Sequence, residues 1–291
     1  MVKESLEQLF EYVAKHIPSE QIMLAKNEYQ KTTGGIYEDD KSYNTRMALF
    51  LEWYLLDQYA LDAHHTILEN ILNDNPISWS ENQLNIYKDI SNNILALFEI
   101  RKVRENSVIV LDLFTDEKYQ VDEEDSKLIF RKNDVFQGRI IPYQEKFYFS
   151  GNYCFHPSKS QRYIKSETKK IYLLQKSWTK ELTKLEKDLL SFQKFQLKNN
   201  KSIDKFNNKI VNTDMGAKLE YLNTELSVYV EKRTTTETNI RLKEEEINFL
   251  KRDKIKFEGR RLISEMINKL AYMNLKWERS RQIDIADIYK N

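Results

Sequence analysis

IYLLQKSWTKELTKLEKDLLSFQKFQLKNNKSIDKFNNKI, residues 171–210, decides the fold, because apolar side chains recur along it at spacings of three and four. A mean spacing of about 3.5 residues keeps one face of a helix toward a partner helix in a left-handed supercoil. Ten of the twelve positions in this series are apolar. The series consists of Ile171, Leu174, Trp178, Leu182, Leu185, Leu189, Phe192, Gln196, Asn199, Ile203, Phe206 and Ile210.

A second series with the same mean spacing follows a short turn at residues 212–216, and eight of its twelve positions are apolar. Its members are Leu219, Leu222, Leu226, Tyr229, Arg233, Thr236, Ile240, Lys243, Ile247, Leu250, Lys254 and Phe257. Folding at the turn sets Gln196 across from Arg233, so that the polar interruptions of the two series meet. We therefore expect a long antiparallel coiled-coil hairpin. The alternative is a coiled coil between molecules that breaks at Gly216.

The pattern of apolar residues changes twice along the chain. Residues 1–93 show helical spacing and predict a helical domain. Residues 94–157 contain short β-rich runs, with Gly138 inside one of them, and predict a small SH3-like or OB-like barrel. Residues 158–291 hold the hairpin and a basic C-terminal helix. The predicted fold class is mainly α with a small β-barrel, in an α+β multidomain chain.

Composition excludes several classes of protein. Six Gly and four Pro in 291 residues favour long helices over a large β-structure. A net charge of +1 argues against a globally basic nucleic-acid binder. Cys154 is the only cysteine, so no intramolecular disulfide is expected. We find no apolar signal core and no run of 18 apolar residues, so we expect no membrane span and a cytoplasmic protein.

The tip of the predicted hairpin is the first candidate site. Ile210, Val211, Asp214 and Met215 would lie at the end of a long lever, where exposed apolar groups often mark a contact with a partner. A plain cap on the coiled coil is the competing interpretation.

The second candidate site is the basic segment from residue 251 to residue 281, which contains ten Lys or Arg against four acids. Basic residues with interleaved rings can bind phosphates and stack on bases. A solvated helical face that pairs with acids elsewhere is the competing interpretation. The candidate nucleic-acid residues are Lys251, Arg252, Lys254, Lys256, Arg260, Arg261 and Trp277.

Cysteine and histidine are too sparse to predict a metal site. Cys154 and His156 would face one side of a strand, but no CxxC or HxxxH spacing is present, and His64 and His65 are adjacent on a helix. We expect a buried thiol at Cys154 and a surface imidazole at His156.

Three carboxylates near residue 55 are weak candidates for acid–base chemistry. Glu52, Asp57 and Asp62 do not share a helical face, so we expect caps and solvent-facing charges around a core helix. No P-loop, GxGxxG, GxSxG or HExxH pattern occurs in the chain. We therefore predict no catalytic residue and no cofactor.

Two stretches carry a resemblance to known proteins. They are FLEWYLLD at residues 50–57 and NDVFQGRII at residues 133–141. The chain resembles uncharacterised bacterial proteins in which an aromatic-rich helical domain precedes a small β-barrel module. The resemblance implies a bacterial cytoplasmic setting and carries no assigned activity.

Together these features predict a non-enzymatic interaction or scaffold protein that binds a protein partner, or a second copy of itself, through the hairpin. The alternative is a protein that binds nucleic acid, or the transcription or translation machinery, with its barrel and basic segment. A metal-dependent enzyme is the third reading.

Overall fold

The computed structural model describes residues 2–59, 65–74, 79–214, 216–280 and 282–290. The chain forms two compact units. The first comprises residues 1–173 and 260–291, and the second comprises residues 174–259. Among the described helices, none has both the length and the apolar content that a membrane-spanning segment needs. The chain is mostly helical and contains one small sheet, as the sequence predicts.

Five helices open the first unit. They are α1 (Val2–His16), α2 (Ser19–Thr33), α3 (Tyr43–Leu56), α4 (Ile67–Asp74) and α5 (Glu81–Ser91). A capping box starts α5, because the Ser80 side chain accepts from the Gln83 amide while the Gln83 side chain accepts from the Ser80 amide. The apolar faces of the helices meet in one cluster. Its buried members are Val2, Leu6, Leu9, Val13, Ala25, Tyr29, Ile36, Phe50, Tyr54, Leu55, Leu56, Leu68, Ile86, Tyr87, Ile90 and Ile141.

Six strands form the sheet of the first unit. They are β1 (Ile94–Val103), β2 (Ser107–Asp112), β3 (Lys118–Asp122), β4 (Val135–Tyr143), β5 (Lys146–Phe149) and β6 (Cys154–His156), with the short helix α6 (Ser126–Ile129) between β3 and β4. The hydrogen-bonded order is β1-β2-β3-β5-β4-β6, and β4 also pairs with β1. The pairing of β4 with β1 closes a ring that contains β1, β2, β3, β5 and β4. Every pair is antiparallel except β3–β5.

Two local features shape the ring. Residues 113–117 make the turn between β2 and β3, and Asp116 adopts a φ of 67° there. Gly138 lies inside β4, where an added Cβ would come within 2.9 Å of the Phe136 ring. A side chain at position 138 would therefore displace a buried aromatic residue.

The C-terminal part of the chain packs on the sheet. Helix α9 (Gly259–Arg279) contributes Ile267 and Leu270 to the core around the strands, and Tyr289 follows the short helix α10 (Ile285–Ile288) into the same core. The start of the long helix α7 (Gln161–Val211) adds Ile171 to it. The core of the sheet therefore depends on residues more than 100 positions apart.

The second unit, which we call the two-helix unit, contains residues 174–259. It consists of α7 from residue 174 onward, α8 (Gly216–Phe249) and a π-helix (Leu250–Glu258). The contacts of α7 advance in the opposite direction along α8 and the π-helix. The Phe206 ring lies 5.3 Å from the Tyr229 ring, the Gln196 amide donates to Glu237, and Glu186 pairs with Lys251. The two helices are therefore antiparallel.

Burial in the two-helix unit follows the predicted series. From Leu219 on α8 to Leu250, the first residue of the π-helix, each predicted position is buried or half-buried. On α7 the same holds from Trp178 to Ile210, but Leu174 is exposed, so its assignment to the buried face is wrong. Two successive spacings of four precede Leu182 and rotate the face, and the half-buried Gln175 takes the inner position instead.

Candidate functional site

Among the described residues of the predicted tip, one apolar side chain is strongly exposed. Val211, the last residue of α7, is 83% exposed, whereas Ile210 is half-buried and Asp214 is exposed. Met215 lies outside the described residues. The Asn212 amide and the Thr213 hydroxyl donate to carbonyl oxygens of the preceding helical turn, at 2.7 Å each. These bonds satisfy carbonyls at the helix end, so Val211 is the main apolar group that the described part of the tip exposes to solvent.

A longer apolar surface runs along the outside of α8. Tyr221, Val228, Leu242 and Phe249 are between 41% and 63% exposed, and they are separated by multiples of seven residues. The exposed Thr235 occupies the remaining position of the series. The drift of about 20° per heptad adds up to about 80° over this length of a straight helix. Each member nevertheless directly precedes a buried or half-buried residue of the inner series, so the five side chains lie on one flank of the helix pair. We call this set the outer stripe.

The outer stripe is distinct from the face that α8 turns to α7. The buried residues Leu222 and Thr236 each follow a member of the stripe by one position, which is about 100° around the helix. Helix α7 carries a shorter counterpart, because Leu190 and Leu197 are exposed and also seven residues apart. Sequence reasoning followed only the inner series and missed both outer ones, although the seven-residue interval from Tyr221 to Phe249 is visible in the sequence.

A groove of about 190 Å³ lies beside Phe249 at one end of the outer stripe. Trp178, Leu185 and Leu250 provide its apolar walls, and Glu181 and Glu246 line it with carboxylates. An apolar groove with charged rims can hold an aromatic or aliphatic anchor from a partner. The outer stripe and the groove together form the candidate interaction surface.

The predicted nucleic-acid residues are largely engaged with acids. Arg260 donates instead to the carbonyl of Leu56, at 3.2 Å, and Trp277 is half-buried. Lys251 pairs with Glu186, which lies outside the basic segment and therefore offsets part of the excess positive charge of that segment. The ion pairs are Lys251 with Glu186, Arg252 with Asp253, Lys254 with Glu258 and Arg261 with Glu265. The nucleic-acid role remains a prediction.

Cys154 and His156 lie on β6 and have different partners. The Asn274 amide donates to the Cys154 sulfur at 3.4 Å, and the His156 Nδ1 lies 3.1 Å from the Tyr289 hydroxyl. His156 is buried, so the expected surface imidazole is wrong, and burial lowers its pKa to about 3. The described residues contain no group of three or more potential metal ligands. His64 lies outside the described residues.

Two of the carboxylates near residue 55 are buried, which corrects the expectation of solvent-facing charges. Arg139 of β4 donates from Nη1 to Asp57 at 3.2 Å and from Nε to Glu52 at 3.4 Å. The Asn152 amide donates to the other Glu52 oxygen at 2.8 Å, and Arg139 also contacts Asn93. Asp62 lies outside the described residues. We call Glu52, Asp57, Asn93, Arg139 and Asn152 the arginine cluster.

The arginine cluster joins the end of α3 to strand β4. Burial raises the pKa of Glu52, and the Arg139 charge opposes that rise. Asp57 follows the last residue of α3, where the chain has left the helix, so its side chain can reach the same guanidinium as Glu52. The cluster brings together residues 50–57 and 133–141, the two stretches that carry the resemblance.

Comparison with known proteins places the chain in one family. No curated protein and no solved structure matches it. A family described as "Family of unknown function (DUF7986)" matches residues 2–208. The match covers the described helices of the N-terminal part, the whole sheet and nearly all of α7, and it confirms the expected resemblance to uncharacterised proteins. The chain therefore belongs to the DUF7986 family of unknown function.

Proposed function

We propose that this protein is a non-enzymatic interaction protein that binds a helix of a partner protein along the outer stripe of α8. The exposure of four large apolar side chains at heptad positions, from Tyr221 to Phe249, is the observation that supports the proposal. Such a stripe costs solubility unless a partner covers it. A partner helix with its own heptad pattern would bury it by knobs-into-holes packing.

The two-helix unit suits this role as a rigid platform. The inner faces of α7 and α8 follow the 3.5-residue period, which supports an antiparallel coiled-coil hairpin. The Asn199 amide donates to the carbonyl of Tyr229 at 2.8 Å and would hold the register of the pair. We further propose that the ring of strands is a small barrel and that the protein acts as a scaffold in the cytoplasm.

The dimensions of the outer stripe favour a helical partner over a short peptide. Its 28-residue separation from Tyr221 to Phe249 corresponds to about 42 Å at 1.5 Å per residue. The groove beside Phe249 would hold the anchoring side chain of the partner. Val211 at the other end of the unit would add a terminal contact, as predicted for the tip.

Site-specific photo-crosslinking in cells that make the protein tests the proposal. A benzophenone amino acid is placed at Val228 or Leu242 of the full chain, and the matched controls carry it at Thr234 or Glu244. All four positions are exposed, but the controls lie on other faces of α8. We expect one defined adduct from the outer stripe and none from the controls. Its crosslinked peptide should show apolar residues at heptad spacing.

One double variant gives the proposal a second test. A double substitution, Val228→Glu with Leu242→Glu, should abolish the adduct from a crosslinker at Phe249 without changing the helical circular dichroism signal. An adduct with a second copy of the chain would identify the partner as the protein itself. Equal crosslinking from both faces, or none from the outer stripe, would refute the proposal.

A further inference from the structure

A cavity of about 340 Å³ lies in the first unit, between the start of α3, strand β6 and helix α9. This volume falls within the range of small-molecule sites. Leu49, Leu275 and the rings of Tyr29 and Phe155 provide apolar walls. Charged and polar groups line the rest of the cavity, and they separate into acceptors on α9 and positive charge around the start of α3.

The acceptor side consists of Glu278 and Asn274, one helical turn apart on α9. The Glu278 carboxylate accepts from the Ser42 hydroxyl at 2.9 Å and from the Asn274 amide at 3.3 Å. Both donors are neutral, and among the described residues no cation forms an ion pair with this carboxylate. Glu278 therefore brings an uncompensated negative charge to the wall of the cavity.

The side-chain oxygen of Asn274 is a hydrogen-bond acceptor that no donor satisfies. A carboxylate only accepts hydrogen bonds, so the Asn274 side chain must direct its NH₂ group toward Glu278. The same nitrogen also reaches the Cys154 sulfur, at 3.4 Å. The Asn274 oxygen is buried and has no hydrogen-bond partner. An unsatisfied buried acceptor is rare in folded proteins and calls for a missing donor.

Positively charged side chains line the cavity beside the start of α3. Lys41 and Thr45 lie at the start of α3, where the helix dipole favours an anion. Arg46 also lines the cavity, but its guanidinium donates to the carbonyls of Thr33, Gly34 and Gly35. Arg46 also pairs with Asp40 at 3.7 Å, which offsets part of its charge, so Lys41 and Thr45 are the main donors for a ligand.

We propose that this cavity binds a small zwitterion of the amino-acid type, with its ammonium group at Glu278 and Asn274 and its carboxylate at Lys41 and Thr45. A simple cation would face the charges of Lys41 and Arg46, and a simple anion would face Glu278. A zwitterion matches both sides, and the apolar walls take its side chain. The site belongs to the first unit, so it is independent of the outer stripe.

Calorimetric titration of the full chain with the free amino acids tests the chemical class. We expect at least one of them to bind. Its N-acetyl and carboxamide derivatives should bind at least about tenfold more weakly, because each lacks a charge-assisted hydrogen bond. Absence of binding by every free amino acid at about 10 mM, well above a millimolar Kd, would overturn the proposal. Equal binding of the blocked derivatives would also overturn it.

Two measurements place the ligand in the cavity. Glu278→Gln should weaken binding at least about tenfold, whereas Glu265→Gln should not, because Glu265 is an exposed residue on the same helix that pairs with Arg261. Cys154 is the only thiol in the chain and lines the cavity, so its alkylation reports occupancy. Burial, with a contribution from Glu278, raises its pKa to about 12. Alkylation is therefore slow, and it is followed over a long incubation near neutral pH, where the ligand keeps its ammonium proton.

At a ligand concentration about 100 times the Kd, alkylation of Cys154 should slow roughly a hundredfold, because only the free protein reacts. An unchanged alkylation rate would place the ligand elsewhere and refute the assignment. Unchanged affinity in Glu278→Gln would do the same. The melting temperature of the unliganded variant, compared with that of the native chain, verifies that it is folded.

Discussion

Arg139 of β4 and Asp57, the residue after α3, form an ion pair in which two guanidinium nitrogens face one carboxylate. The two side chains are 2% and 4% exposed, and 82 positions separate them in the sequence. Glu52 and Asn93 also contact the guanidinium. The pair therefore connects the helices of the first unit to its sheet from within the core.

Removing the guanidinium should destabilise the protein strongly. In Arg139→Met, Glu52 and Asp57 remain buried without their cation, and breaking a buried pair in this way costs about 3–5 kcal/mol. Urea unfolding of the variant and the native chain measures the difference. Arg261→Met, which removes an exposed pair with Glu265, is the control and should cost less than about 1 kcal/mol. A loss in Arg139→Met no larger than in the control would show that the arginine cluster contributes little.

Asp112 should make the protein less stable as the pH rises. Its carboxylate accepts from the Phe114 amide and the Thr115 hydroxyl, but burial dominates and raises its pKa from 3.8 to about 6. The folded state then binds the proton more tightly than the unfolded state. The stabilisation that protonated Asp112 contributes, roughly 3 kcal/mol, is fully present below about pH 4. It is lost as the pH rises through about 6.

The measurement is the free energy of unfolding between pH 4 and pH 7 for the native chain and Asp112→Asn. The amide keeps an acceptor for Phe114 and does not titrate, so its curve should lack the decline that Asp112 causes. The difference between the curves isolates this residue from other titrating groups. Parallel curves would contradict the assignment.

Asn199→Leu should stabilise the two-helix unit while weakening its register. The substitution removes a buried polar group, which is often stabilising by about 1 kcal/mol, but it also removes the hydrogen bond to Tyr229 that selects one alignment. Thermal melts measure the first effect. Spin labels at positions 201 and 231, in a chain with Cys154→Ala, measure the second as a broader distance distribution. A sharp distribution with lower stability would contradict this prediction.

The basic segment should bind nucleic acid only weakly. Carboxylates lie within 3.1 Å of Lys251, Arg252, Lys254 and Arg261 and compete with phosphates. We expect Kd values above about 100 µM for mixed RNA and DNA at physiological salt, the weak limit of nonspecific binding. Filter binding at two salt concentrations measures this. Micromolar binding that falls steeply with salt and is lost in Lys251→Ala with Arg252→Ala would favour the nucleic-acid alternative.

Local periodicity predicted the helices well because it reports directly on burial. The inner series on α8 and at the start of the π-helix needed only the rule that one face of a helix meets a partner helix, and each member from Leu219 to Leu250 follows it. Leu174 does not follow the rule, because two successive spacings of four residues after it rotate the buried face of α7 away from it. The strand around Gly138 was also predicted from local pattern alone.

The arginine cluster could not be predicted in the same way. Glu52 and Asp57 have the spacing of residues on different helical faces, and Arg139 is a charged residue in a β-rich run. Their burial depends on the packing of α3 against β4, which the sequence does not encode locally. His156 illustrates the same limit, because its partner Tyr289 comes from the far end of the chain.

The two-helix unit interrupts the sequence of the first unit, which resumes at residue 260. It is thus an insertion, and its length is decoupled from the core that flanks it. Adding seven residues to α7 and seven to α8 would return every inner side chain to nearly the same face and lengthen the helix pair by about 10 Å. The length of this unit can therefore change in heptad steps without any change to the sheet.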